Sequence, residues 1–467
     1  MSTSVKEKTR GEDLLGTAPM LPLVWKMALP AVAAQLVNLL YSIVDRIYIG
    51  HIEGIGTDAL AGIGITSSII ILISAFAQIV GGGGAPLASI ALGQGDRERA
   101  GKIMNNGLVL LIIFAVSTSL LTFLFMEPLL YLVGASENTI GYATDYLSIY
   151  LFGTFFVMVT TGLNSYINAQ GKAGIAMCSV IVGAVSNIIL DPILIFGLGM
   201  NVKGAAIATV LSQLCSAIFV LSFLCSKRAS LRIETRYMKL DRSVVGSIFS
   251  LGISPFTMSS TESFVGFVLN GALRSYGDIY VSALTVMQSA MQMVSVPMSG
   301  FAHGLVPIMS YNYGHKNPER VKQTFRIGLT IMFSFTFAAC VLVMIFPSFV
   351  ASFFTEEEAL IAVVSKYMPL FFAGMTIFGL QRTCQNTFVA LGQAKVSLFI
   401  ALLRKVLLLI PLALILPSIM GGVVGVYAAE AIADATAAIC CMLIFLYQFP
   451  RILKRVPAEG SESKTKR

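Results

Sequence analysis

Long apolar stretches, each closed by glycine, charge or turn residues, recur twelve times along the chain. Their approximate limits are 24–49, 58–92, 103–126, 141–168, 174–198 and 204–225, then 244–273, 281–313, 323–349, 360–389, 396–417 and 423–447. Each is long enough to cross about 30 Å of hydrocarbon as a helix, which takes roughly 20 residues. Only helices and closed barrels satisfy their backbone polar groups in lipid. The blocks are too long and too continuous for barrel strands of about 10 alternating residues. The pattern predicts an all-α polytopic membrane protein with twelve transmembrane helices, the longer ones tilted, kinked or projecting beyond the lipid.

The two halves of the pattern repeat. "LGQGDRERAGKIMNNGL" (92–108) aligns without gaps on "YGHKNPERVKQTFRIGL" (313–329), and 146–173 aligns on 367–394. Both alignments share an offset of 221 residues, which also matches Pro86 to Pro307 and Gly204 to Gly425. Two six-helix bundles in the same orientation fit a parallel repeat about an axis along the membrane normal, an architecture suited to alternating access. The expected units are an N-terminal bundle (1–225), a linker (226–243), a C-terminal bundle (244–450) and a polar tail (451–467).

Composition supports burial in lipid. Of the 467 residues 56% are hydrophobic and 12% charged, with a mean hydropathy of +0.81, against about 25% charged in soluble domains. The net charge of +8 does not mark a nucleic-acid-binding face, because the cations sit in short loops. With the loops assigned to alternate sides, 25 of the 32 Lys and Arg fall on one side. Positive-inside logic puts that side, and both termini, in the cytoplasm of a bacterial inner-membrane protein. Residues 1–20 are polar and the first apolar block is too long for a signal h-region, so no cleavable leader is expected. The seven Cys form no CxxC pair and His51, His303 and His315 lack ligand spacing, so neither a disulfide nor a metal role is expected. "GGGGAP" (81–86) lacks the Lys-Ser/Thr ending and preceding strand of a phosphate loop; small residues in a span instead permit close packing or bending.

The candidate chemistry lies in polar residues inside the spans. "SNIILDP" (186–192) puts Asn187 and Asp191 one turn apart on one helix face. At 1.5 Å per residue, Asp191 and Asp45 each lie ~28 Å from the inner face, and Thr209 ~8 Å below the outer one. Two carboxylates, an amide and a hydroxyl at one level could hold a proton or Na⁺: oxygen ligands suit a hard cation, and close carboxylates out of water favour keeping one proton. Charges in spans usually mark ion or substrate paths. Pro192 lacks an N–H for the carbonyl of residue 188, which predicts a bend. In the second half, Arg382, Arg404 and Lys405 fall near mid-membrane with Glu430 and Asp434, either as neutralising ion pairs or as a second proton relay. Gln288 and Met291, in a Met- and Gln-rich stretch of span 8, are candidates for a soft, adaptable pocket.

The first-span "NLLYSIVDRIYIG", the "LGQGDRERA" loop, "INAQGKA" after span 4, "SNIILDP" in span 5 and "ALGQAK" after span 10, taken in order, give the chain a resemblance to the multidrug and toxic compound extrusion (MATE) family, particularly its bacterial MepA-like branch. The resemblance covers essentially the whole chain. It implies an antiporter that exchanges inward H⁺ or Na⁺ for outward organic, often cationic, compounds, with no cofactor. The positions it implies for the coupling ion are Asp45, Asn187, Asp191, Thr209 and, through its backbone carbonyl, Ala205. It also implies substrate-binding roles for Asn164 and Glu262. Arg46, directly after Asp45, departs from the small or polar residue expected there.

The reading is therefore a monomeric, lipid-embedded, cation-coupled multidrug exporter working by alternating access. The rival is a lipid-linked oligosaccharide flippase of related two-bundle architecture. That reading needs Arg46, Arg382, Arg404 and Lys405 to face one cavity, and weakens if they pair with Glu430 and Asp434. A non-transporting receptor lacks a sensor domain, and an enzyme lacks a nucleophile–base constellation.

Overall fold

A computed structural model of the chain describes residues 14–454 apart from Glu53, and among these residues there is no strand. The N-terminal basic residues before Leu14 and the tail beyond Lys454 lie outside the described residues. Six long helices form the first half: α1 (Met20–Gly50), α2 (Asp58–Gly93), α3 (Arg97–Leu124), α4 (Ile140–Ala169), α5 (Ala173–Gly197) and α6 (Asn201–Cys225). Six more form the second: α7 (Arg242–Arg274), α8 (Asp278–Gly314), α9 (Pro318–Ile345), α10 (Glu358–Ala390), α11 (Ala394–Met420) and α12 (Val423–Lys454). Eleven are long and apolar enough to cross a membrane. The remaining one, α7, is as long, but carries Ser and Thr at 254, 257 and 259–261. α12 continues through Pro450 to Lys454, so the start of the expected polar tail is helical. Large apolar side chains such as Phe152, Leu132 and Ile419 stand exposed on the outside, where lipid rather than water is the suitable solvent.

The internal repeat is visible in backbone detail. Asp96 caps α3 by accepting from the Arg99 N–H at 2.9 Å, and Asn317, 221 residues on, caps α9 by accepting from the Arg320 N–H at 3.2 Å. The residue before each cap, Gly95 and Lys316, has positive φ; so do the equivalent pairs Gly171 and Gly392, and Asn201 and Gly422. Turn geometry has thus been kept while side chains have diverged.

Three helices widen into π turns: α2 at Ile79–Gly84, α5 at Ile193–Gly197 and α11 at Leu403–Leu409. The α5 turn begins directly after Pro192, where the missing N–H releases an acceptor, so the expected bend takes this form. The α2 turn is the glycine run. A Cβ on Gly83 would lie 2.5 Å from the Gly252 nitrogen of α7, and Gly82 rests on the Pro255 ring. The run therefore lets two helices of different halves approach at backbone distance.

The halves meet through α1 with α8, α2 with α8, and α2 with α7. Gly300 and Gly304 of α8 lie against the backbone of Val32 and Ala28 on α1. Phe76 packs edge-on to Phe256 at 5.1 Å, and Trp25 to Phe301 at 5.9 Å. The linker between α6 and α7 is fastened to α3 and α4 by three buried amides. Asn105 donates to the Arg232 carbonyl and accepts from the Glu234 N–H, both at 2.9 Å. Asn106 holds Tyr237, Lys239 and Asp241 in the same way, and Gln170 accepts from the N–H groups of Ser230 and Leu231.

Candidate functional site

A cavity of about 700 Å³ lies in the first bundle, lined by side chains of α1, α2, α4, α5 and α6 and closed on one side by His303 of α8. α1 and α5 pack on each other and bring Asp45 and Asp191 together beside it, each carboxylate within the other's field. Asp191 is fully buried, and Asn187, one turn back, donates to its Oδ1 at 3.3 Å. Asp45 Oδ1, Asn187 Oδ1 and Asp191 Oδ2 are buried with no hydrogen-bond partner among the described residues. Two carboxylates so placed repel when both are charged, unless a proton or small cation lies between them. The spare oxygens are the donor set a hard cation takes.

The helix faces that produce this meeting follow from the π turn of α5 and its neighbour α6. Gly204 packs against the backbone of Leu194, where an added Cβ would lie 2.8 Å from the carbonyl. This seats the widened end of α5 on α6. Ala205 follows in the same contact, fully buried with Ile49, Ile195, Tyr146 and Tyr150. Thr209 Oγ1 lies 3.5 Å from the Tyr146 hydroxyl. Asp45, Asn187, Asp191 and Thr209, expected at one level, and Ala205, named by the resemblance alone, all lie in the first bundle. Arg46 lines the same cavity but makes no ion pair with Asp45 within 4 Å. Tyr41, one turn before Asp45, and Tyr146 were not singled out from the sequence; only the helix period relating Tyr41 to Asp45 could have suggested one of them.

A second cavity, of about 200 Å³, lies between the bundles, and Glu262 and Arg382 both line it. Gln78, Ser165, Asn168 and His303 border both cavities, so the two adjoin. Asn164 lines the first, its amide bound to the Ser179 hydroxyl at 2.8 Å. Gln288 and Met291 line neither cavity; Met291 packs against the apolar core instead.

The mid-membrane charges of the second bundle sort into two pairs and a remainder. Lys405 Nζ donates to Glu430 at 3.4 Å, and Arg404 Nη1 lies 3.1 Å from Asp434 Oδ1. All four side chains are largely buried. The α11 π turn carries both cations, and the acids sit one turn apart on α12. Arg382 joins neither pair and donates to Ser299 Oγ at 2.7 Å. The four basic residues therefore do not share one cavity: Arg46 is in the first, and two of the three in the second are neutralised.

Comparison with known proteins gives the family and the fold. The MatE family model matches residues 30–193 and 256–415. Multidrug export protein MepA of Staphylococcus haemolyticus (strain JCSC1435) is 25% identical over 418 residues, covering 89% of this chain and 91% of that protein. MepA of Staphylococcus aureus (strain N315) is 24% identical over 428 residues, covering 91% and 94%. Among solved structures, a MATE in the bent conformation superposes with a TM-score of 0.89 over 96% of this chain and 99% of that one, at 24% identity. An outward-facing multidrug resistance MATE transporter of the MOP superfamily gives 0.88, with the same coverage and identity.

Proposed function

The chain belongs to the MatE family of transporters, and from that premise we propose that it exports organic compounds across the bacterial inner membrane in exchange for inward H⁺ or Na⁺. It is a multidrug efflux transporter, not an enzyme. The coupling ion is taken up at Asp45 and Asp191, with Asn187, Thr209 and the Ala205 carbonyl as supporting oxygens. The observation that carries this reading is the meeting of the two acids with unpartnered buried oxygens beside the cavity.

A gradient drives export only if ion and cargo bind the two orientations of the transporter with different affinities. In the orientation open to the outside, a proton or Na⁺ at the acid pair removes their mutual repulsion and lets α1 and α5 close on each other. Gln78, Ser165, Asn168 and His303 border both cavities, so this repacking reaches the compartment between the bundles. Cargo leaves outward, the bundles rock, and the ion leaves inward. The recharged acids then favour new cargo that carries a positive group. The basic loops face the cytoplasm in this scheme. An exporter is favoured over a flippase for a pyrophosphate-linked lipid because the Arg404 and Lys405 charges are cancelled by Asp434 and Glu430.

The test is dye efflux from proteoliposomes with an imposed ΔpH or ΔNa⁺ in turn. One gradient should drive efflux by the wild type. Asp45→Asn and Asp191→Asn should each abolish that response while keeping the wild-type unfolding midpoint. Gradient-driven efflux at the wild-type rate in either variant would refute the assignment.

A further inference from the structure

The compartment between the bundles holds two charges that face it without touching. Glu262 of α7 and Arg382 of α10 both line it. No ion pair within 4 Å joins either of them to a described residue, although each feels the other's field. The remaining charged groups around the compartment are Arg404 and Lys405, each matched by an acid of α12. His303 is the other titratable lining group.

Arg382 is the unusual member. A guanidinium has five N–H donors in a fixed fork. Here the one side-chain acceptor it reaches among the described residues is Ser299 Oγ, at 2.7 Å, which fixes the fork. The other donors are left for something that enters the cavity. An arginine within a membrane span is costly unless paired, and marks a substrate or ion path. A planar fork with spare donors is the group that best takes a carboxylate or other oxyanion. A further acceptor lines the cavity: the Oε1 of Gln381, next to Arg382 in the chain, is buried and without a hydrogen-bond partner among the described residues. It can accept only from an N–H or O–H donor.

Building on the reading of this compartment as the cargo path, we infer that its preferred cargo is zwitterionic: an oxyanion on the Arg382 guanidinium and an ammonium on the Glu262 carboxylate. A simple cation fills the acidic half and leaves Arg382 desolvated against it; a simple anion does the reverse. A compound with both charges satisfies both walls and adds no net charge to the compartment.

The test uses the full chain in lipid nanodiscs and three probes built on one aromatic ring. The first carries a secondary ammonium and a carboxylate, the second is its methyl ester, and the third its N-acetyl form. Binding is measured without any gradient. The zwitterion should bind roughly tenfold or more tighter than either relative, as expected for a charge-assisted hydrogen bond gained or lost. Arg382→Gln should bring the zwitterion down to the ester while leaving the ester's affinity no weaker. Arg382→Lys, which keeps the charge but not the fork, should retain part of the preference, and unfolding midpoints report whether each variant is intact. Equal binding of ester and zwitterion by the wild type, an unchanged ratio in Arg382→Gln, or binding of none of the probes overturns the inference. Gradient-driven export of the ester by Arg382→Gln is read separately and reports on the exporter reading alone.

Discussion

Gly93 of α2 faces the backbone carbonyl of Tyr311 on α8, and Gly314 of α8 faces that of Ile90 on α2. The offset between Gly93 and Gly314, and between Ile90 and Tyr311, is 221 residues. The two contacts are therefore one contact, exchanged by the internal repeat. A Cβ on Gly93 would lie 2.9 Å from the His315 nitrogen, and one on Gly314 2.8 Å from the Ile90 carbonyl carbon. This crossing joins the bundles at the ends of α2 and α8, next to the basic loops. Overpacking costs about 1–3 kcal/mol, so Gly93→Val or Gly314→Val should weaken the closure on this face. Spin labels at Arg99→Cys and Lys322→Cys should then report a longer or broader distance distribution than in the parent. An unchanged distribution in both variants would show that the crossing does not hold this face shut.

The Lys405–Glu430 pair should behave as a buried ion pair rather than as a stabilising decoration. Removing one partner leaves an uncompensated charge, at about 3–5 kcal/mol, whereas replacing both by apolar groups of similar shape is often neutral. Lys405→Met alone should lower the unfolding midpoint, and Lys405→Met with Glu430→Leu should recover most of the loss. If the double variant also keeps gradient-driven efflux, the pair is structural. Lost efflux with recovered stability would instead support a second relay in this bundle.

The linker amides give a prediction independent of transport. Asn106 is 1% exposed and holds three linker backbone groups at 2.8–3.2 Å. Asn106→Ala strands them, at about 1–3 kcal/mol for an unsatisfied buried group. Limited trypsinolysis should cut faster at Arg236 and Lys239 than in the parent. Equal cleavage rates would mean that the linker is held by other contacts.

Much of this architecture was readable before any coordinates, because lipid allows few solutions. Continuous apolar blocks predict helices and the offset of 221 predicts two halves, and the caps at Asp96 and Asn317, found only in the structure, stand at that same offset. Helix period placed Asn187 on Asp191, and a constant rise per residue placed Asp45 level with them. What stayed hidden depends on rotation about helix axes and on departures from the α period. Ion pairs among these charges were one of the two readings the sequence allowed, but the match of Arg404 to Asp434 and Lys405 to Glu430 lies on a π turn that no residue pattern in "LRKVLLL" announces. Arg382 sits close by in depth but was not separable from the paired cations. Gln288 and Met291 share the composition of a pocket, yet α8 does not turn them to either cavity. Asn105 and Asn106 stood in the repeat alignment and Gln170 in a motif of the family resemblance, but their work on the linker shows only in three dimensions.

The position of Asp191 gives the last prediction, which separates two local causes. Pro192 removes a backbone donor where α5 widens, and Gly204 lets the widened turn rest on α6. Were the proline the main cause, Pro192→Ala would restore the α period, rotate Asp191 away from Asp45 and abolish ion-driven efflux. Gly425, the repeat partner of Gly204, packs in the same way against the backbone of Leu416 and Pro417 at the end of α11, with no proline at the position matching Pro192. The glycine contact is thus common to both bundles, whereas the widened turn at this place stands only beside the proline, since Ile410–Met420 is regular α-helix. Gly204→Ala should nevertheless be the more damaging change, because its Cβ would meet the Leu194 backbone: overpacking costs about 1–3 kcal/mol, and the turn that follows Asp191 must shift. Pro192→Ala, by contrast, should move stability by less than about 1 kcal/mol, mostly through the unfolded chain. Unfolding midpoints and gradient-driven efflux should follow the same order: wild type first, Pro192→Ala close behind, Gly204→Ala far below. The reverse order would assign the geometry of the acid pair to the proline.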